Sequence, residues 1–171
     1  MNIPSENRYI QYIQSWLSFR YKHEEIPGFV VAVARNGEVL MNEAYGYSDL
    51  ETQSEMRPDH LFRIASHSKT FTATAIMQLQ ENGKLRIDDS VVTYVPWLAE
   101  HKDKRWLTVT IRQLMSHSAG VIRDGLISDY WSLRERFPDS EQLKELVLST
   151  DLVVDANVKM KYSNIGYSIL G

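Results

Sequence analysis

Ser66-His67-Ser68-Lys69 places a hydroxyl and an amine three residues apart. On a helix, residues i and i+3 share a face, so the Lys69 amine can reach the Ser66 hydroxyl. A serine hydroxyl is a weak nucleophile until a base takes its proton. A helix N-terminus adds N–H groups and partial positive charge, both of which favour an oxyanion formed on attack. A chain of this length holds about one S-x-x-K by chance, so the motif alone equally fits a helix-capping serine with a solvated lysine one turn on. Tyr162-Ser163-Asn164 is the second pattern, the only Tyr-x-Asn among nine tyrosines. Tyr and Lys both titrate near about 10, and side by side the ammonium favours the phenolate, so protons can be shared near neutral pH. Asn164 carries a donor and an acceptor suited to a substrate amide. Taken alone, the second pattern also fits a buried tyrosine and a capping asparagine.

Elements that could position these groups are legible around them. The spacing of Ile10, Ile13, Trp16 and Leu17 predicts an amphipathic helix over 5–22, capped by Ser5 and broken at Pro27-Gly28. Apolar runs on either side of Asn36-Gly37 predict a hairpin with strands at 29–35 and 38–46, and 48–59 reads as a polar loop. A helical pattern runs from Ser66 to Gln80 with Phe71, Ala75, Ile76 and Leu79 on one face, and Asn82-Gly83 ends it. Residues 85–98 read as irregular. Thr110-x-x-Gln113 and Asp139-x-x-Gln142 have capping-box form, each opening a short helix. Tyr162 to Gly171 starts a further apolar helix. Only two clear strands appear, and an isolated hairpin is marginal, so the chain reads as the front part of something longer.

Composition narrows the function classes. The 171 residues are 43% apolar and 24% charged, an ordinary globular balance, with a net charge of −3. No basic patch points to nucleic acid. The absence of cysteine excludes thiol nucleophiles and Cys-ligated metals. His23, His60 and His101 lack metal-type spacing, and no G-x-S-x-G, Walker or dinucleotide fingerprint occurs. No apolar stretch is long enough to span a membrane. The N-terminus has no signal-peptide pattern, so a cytoplasmic location is expected unless a signal has been removed. His67 points about 100° away from Ser66 on a helix, and His117 reads as a structural histidine near a helix C-terminus, where its charge is tolerated. Residues 121–138, centred on Trp131 with Tyr130 and Phe137, read as a loop that covers the core, with a border on a substrate cleft as the alternative.

Several segments follow one another in a distinctive order. These are P-G-F-V-V-A-V at 27–33, the Asn-Gly hairpin, F-R-I-A-S-H-S-K-T-F-T-A-T-A-I-M-Q-L at 62–79 and G-K-L-R-I-D-D-S-V at 83–91. T-I-R-Q-L-M-S-H-S-A-G at 110–120 and Y-S-N at 162–164 complete the series. From about residue 25 onward the chain resembles the serine β-lactamase and penicillin-binding-protein superfamily, in its class C-like branch, which also holds D,D-peptidases and esterases. S-x-x-K with S-D-N and K-T-G marks the class A relatives, and Y-S-N stands here in place of S-D-N.

The resemblance implies an α/β (α+β) serine β-lactamase-like fold, an antiparallel sheet flanked by helices beside a mostly helical region. Residues 1–171 would be the N-terminal portion of one catalytic domain, cut before the central strands. Residues 1–60 would form the helix and β-hairpin of the sheet region, and 61–171 the nucleophile helix and helical region. It also implies a serine hydrolase with Ser66 as the acylated nucleophile, Lys69 and Tyr162 as proton-transfer groups, and Asn164 holding the substrate's amide. The substrate would be a small molecule or peptide with an amide, ester or β-lactam bond, and no metal or organic cofactor is called for. The family builds its oxyanion hole from the nucleophile's N–H and a later strand bearing K-T-G or H-x-G. Gly166 and Gly171, the glycines after Tyr162, fit neither pattern. The alternative expectation is therefore a non-catalytic member or inactive truncated form that binds a ligand or partner.

Overall fold

The computed structural model describes residues 6–125 and 136–171. The Ser5 cap and the Trp131 and Tyr130 part of the 121–138 loop lie outside the described residues. The chain divides into two compact units, Met1–Arg63 and Ile64–Gly171.

In the first unit α1 (Glu6–His23) lies beside a three-stranded antiparallel sheet ordered β1-β2-β3. Leu17 is buried, Ile10 and Ile13 are half-buried, and Trp16 stays exposed with the Arg20 guanidinium 5.3 Å from its ring. Strands β1 (Gly28–Arg35) and β2 (Glu38–Asp49) turn at Asn36 and Gly37, whose φ angles of 51° and 84° satisfy the expected two-residue turn. Phe29 and Tyr45 face each other across the strands and stack at 4.9 Å, an aromatic pair that fixes register. Gln14 of α1 and Tyr45 both donate to Glu43, at 2.5 and 2.7 Å, which ties helix to sheet.

The polar stretch expected to be loop contains a short third strand, β3 (Ser54–Glu55), paired with Tyr47 and Asp49. Two polar residues carry no alternation to read, and a local polar turn makes the strand. The Asp49 carboxylate accepts from the N–H groups of Glu51 and Thr52, and Gln53 turns at φ 54°.

The second unit is mostly helical. A 3-10 turn at Ala65–His67 leads into α2 (Ser68–Glu81), which ends at Asn82 and Gly83, the latter at φ 68°. Of the face read from the sequence only Ile76 is buried, against Leu85, Ile87 and Ile111; Phe71 and Leu79 remain exposed. Residues 91–108 run through three 3-10 turns that bury Val91, Leu98 and Trp106. Both expected capping boxes form, Thr110 with Gln113 opening α3 (Ile111–Met115) and Asp139 with Gln142 opening α4 (Ser140–Ser149).

The last helix, α5 (Asn164–Leu170), is capped by Ser163 and packs against α2 and α3, burying Ile165 and Ile169 in the core with Leu98, Trp106, Leu114 and Val147. Buried His101 closes this core: its Nδ1 accepts from the Asp103 N–H at 2.8 Å, and its Nε2 reaches the carbonyls of Val147 and Thr150 at 3.0 and 3.1 Å. Gly120 holds φ 79° with the Val154 carbonyl beside it, so a side chain there has no room.

Candidate active site

Ser66 sits in the 3-10 turn before α2 rather than on its first regular turn. The residue ahead of it, Ala65, adopts φ 44°, a left-handed conformation that costs an alanine roughly 1–2 kcal/mol. Strain of this kind persists only where surrounding structure imposes it. It delivers Ser66 in a tight turn from which Lys69, one turn on, reaches back: Nζ donates to Ser66 Oγ at 3.4 Å. His67 is exposed.

From the start of α5 comes the second half. Tyr162 Oη and Ser66 Oγ lie 2.6 Å apart. Lys69 Nζ also donates to Asn164 Oδ1 at 2.6 Å and lies 4.9 Å from the Tyr162 ring centroid. The four residues singled out in the sequence thus meet within one cluster in the second unit. Nearby Lys69 and the hydrogen bond with Ser66 hold the Tyr162 phenol below its ordinary value, against a smaller opposing effect of burial. The arrangement is a hydroxyl facing a phenol prone to ionise, with an ammonium beside both. It is suited to moving a proton off Ser66 and returning it to another atom.

Three further residues were not legible as site residues. Asp124, nearly buried, accepts from Asn164 Nδ2 at 2.5 Å and pairs with Arg123 at 3.0 Å. The Asn164 amide is therefore held from both ends by protein groups. Arg123 places its guanidinium 5.6 Å from the Tyr162 ring, and its carbonyl accepts from the N–H groups of Asn164 and Ile165. His117 packs on the Tyr162 ring at 4.5 Å. Burial first, then the Lys69 charge, push its imidazole below the ordinary value, so the neutral form is favoured where the sequence suggested a tolerated charge. No short-range motif joins these residues to Tyr162; adjacency in space is the only signal. Beside the cluster a cavity of about 290 Å³ is lined by Lys69, Asn164, Phe137, Leu143, Leu146 and Tyr167, among others. Among the described residues no group of acidic and histidine side chains could hold a metal ion, and no helix is long and apolar enough to cross a membrane.

A mixed fold of this kind with an S-x-x-K turn and a Y-x-N turn defines a serine β-lactamase-like protein. The chain belongs to the Beta-lactamase family, whose sequence model matches residues 13–171. Among curated relatives it is similar to Protein flp of Staphylococcus aureus (strain NCTC 8325 / PS 47), 28% identical over 161 residues, which is 94% of this chain and 32% of that protein. It is also similar to the mitochondrial serine beta-lactamase-like protein LACTB of Bos taurus, 41% identical over 96 residues, or 56% of this chain and 17% of that protein. Among solved structures, a class C beta-lactamase in complex with cefoxitin superposes with a TM-score of 0.77 at 28% identity, covering 97% of this chain and 44% of its own. EstCE1, a hydrolase with promiscuous acyltransferase activity, gives 0.73 at 27% identity, covering 94% and 45%. The chain thus spans about a third of the length of the flp protein and under half of these structures. Its fold is the serine β-lactamase-like α/β fold of a hydrolase family.

Proposed function

We propose that the protein carrying this chain is a serine hydrolase of the class C β-lactamase, D,D-peptidase and esterase type, working through an acyl-enzyme on Ser66. The observation that supports this reading best is the 2.6 Å contact between Ser66 Oγ and Tyr162 Oη, with the Lys69 ammonium beside both.

Tyr162, as phenolate, takes the Ser66 proton as Oγ bonds to the substrate carbonyl carbon. It then gives that proton to the departing nitrogen or oxygen as the tetrahedral intermediate collapses to acyl-Ser66. In the second half water attacks the acyl carbon, its proton passes to Tyr162, and Ser66 Oγ leaves carrying a proton back. Lys69 shares in the proton transfer and is the positive charge that keeps Tyr162 ionisable; Asn164, tied to Asp124, anchors Lys69 and is the side chain set to meet the substrate's amide. The bond opened is an amide, an ester or a β-lactam.

Intact-mass spectrometry of the full-length protein after a fluorophosphonate, and separately after a penicillin, tests this. A single adduct lost in Ser66→Ala is expected. No adduct with either reagent on the folded protein would overturn it and favour a ligand-binding member.

A further inference from the structure

Tyr162 sits between two hydrogen bonds made to one residue. The His117 carbonyl accepts from the Lys161 N–H at 2.7 Å, and His117 Nδ1 accepts from the Ser163 N–H at 3.2 Å. The N–H groups of both residues flanking the tyrosine are tied to the same histidine, whose ring also packs on the Tyr162 ring, with 4.5 Å between centroids. The imidazole also meets the Tyr167 ring at 5.1 Å, and Tyr167 donates its hydroxyl to the Met115 carbonyl at 2.9 Å. His117 itself stands just past α3 at φ 59°, with its N–H on the Leu114 carbonyl at 3.2 Å. That left-handed turn brings its carbonyl and its side chain to the same neighbouring segment.

We propose that His117 is a positioning residue: by holding the N–H groups of both flanking residues and one face of the ring, it sets the approach of the Tyr162 hydroxyl to Ser66. The proposal rests on reading Tyr162 as the proton-transfer group. A misplacement of about 1 Å in such a contact can cost on the order of a hundredfold in rate. The clamp works in one protonation state only. Nδ1 must keep its lone pair, and an imidazolium has two donors and no acceptor. The groups facing the ring are Lys69 from α2, Tyr162 and Tyr167 from the last segment, with the Arg123 guanidinium over the Tyr162 ring. Burial and the Lys69 charge both oppose protonation.

Two substitutions separate acceptor from ring. His117→Phe keeps an aromatic face and has no acceptor. His117→Asn loses the ring, offers Oδ1 in place of Nδ1 and tolerates positive φ. The second-order rate of fluorophosphonate labelling is measured for the full-length protein and both variants from pH 4.5 to 9, with thermal melting alongside. The Phe variant is expected to lose about tenfold or more, and the Asn variant to recover at least about a third of the wild-type rate. Below about pH 6.5 the wild-type rate is expected to fall more steeply than ionisation of Tyr162 alone gives, and that extra steepness, assigned to His117, is expected to be absent in His117→Asn. Wild-type labelling by the Phe variant, or the extra steepness unchanged in the Asn variant, would overturn the proposal. Tyr162→Phe labelling at the wild-type rate would instead refute the role of Tyr162, since that substitution leaves both His117 hydrogen bonds in place.

Discussion

Lys69 Nζ donates to Asn164 Oδ1 at 2.6 Å while the other end of the same amide donates to Asp124 at 2.5 Å. The amide relays position from a nearly buried carboxylate to the amine beside Ser66. Asn164→Leu leaves the Asp124 carboxylate short of a donor and Lys69 short of an acceptor. A stability loss of about 1–3 kcal/mol is expected in denaturant unfolding, with fluorophosphonate labelling slowed by about tenfold or more. Unfolding and labelling both at wild-type values would show that the relay holds nothing.

Tyr162 gives the pH prediction. Its phenol is held below its ordinary value by Lys69 and by the Ser66 hydrogen bond, so the reactive phenolate grows in as pH rises, with a midpoint below about 10. Labelling of Ser66 is expected to increase with pH up to that midpoint and then level. In Tyr162→Phe that limb disappears and the rate falls by about 10²- to 10⁴-fold. A profile that stays flat from pH 6 to 10 in the wild type contradicts a base in this role.

Asp103 is a carboxylate whose partners are Arg105 and the Leu152 backbone rather than the residues around Ser66. It caps the 3-10 turn at 104–108 through the Arg105 N–H, grips the Arg105 guanidinium and accepts from the Leu152 N–H at 3.0 Å. Those bonds, Arg105 foremost, hold its carboxyl well below the usual carboxylate range. The folded state therefore binds fewer protons than the unfolded one. The stabilisation is complete above the unfolded value of about 3.9 and is lost as pH falls from there toward the depressed folded value. Asp103→Ala should cost about 2 kcal/mol at pH 7 and less at pH 3. A mutant-to-wild-type difference in unfolding free energy that does not shrink in acid would refute the assignment.

Gly120 tests backbone geometry. An added Cβ would lie 2.0 Å from the Val154 carbonyl oxygen, at a φ of +79° that side chains rarely adopt. The Gly120 carbonyl also accepts from the Val153 N–H at 2.9 Å, so backbone on both sides resists moving. Gly120→Ala should lower stability by at least about 2 kcal/mol, seen as a clear drop in Tm. An unchanged Tm would mean that the 153–154 backbone yields freely.

What the sequence made legible was local. The Asn36-Gly37 turn, both capping boxes and the Asn82-Gly83 helix end are set by residues within four positions of one another, so their chemistry can be read in order. Strand β3 escaped because two polar residues have no pattern. The face of α2 was overread: the period marks Phe71 and Leu79 with Ile76, yet burial depends on where the 85–87 segment returns, and it returns over Ile76. Within the site, the motifs named Ser66, Lys69, Tyr162 and Asn164. Asp124 and His117 gain their meaning from partners 40 and 46 residues away. No spacing rule reaches that far.

The hydroxyl contact between Ser66 and Tyr162 joins residues 96 positions apart. Closing a chain segment of that length costs roughly 4 kcal/mol of configurational entropy before any contact offsets it. The α2 turn can assemble Ser66 with Lys69 alone, and the α5 turn can assemble Tyr162 with Asn164 alone, but neither half does chemistry by itself. On the proposed mechanism, labelling of Ser66 would therefore report tertiary assembly rather than helix content. On refolding, Ser66 labelling should rise with the docking of α5 onto α2 and α3, after the far-ultraviolet helix signal has already returned.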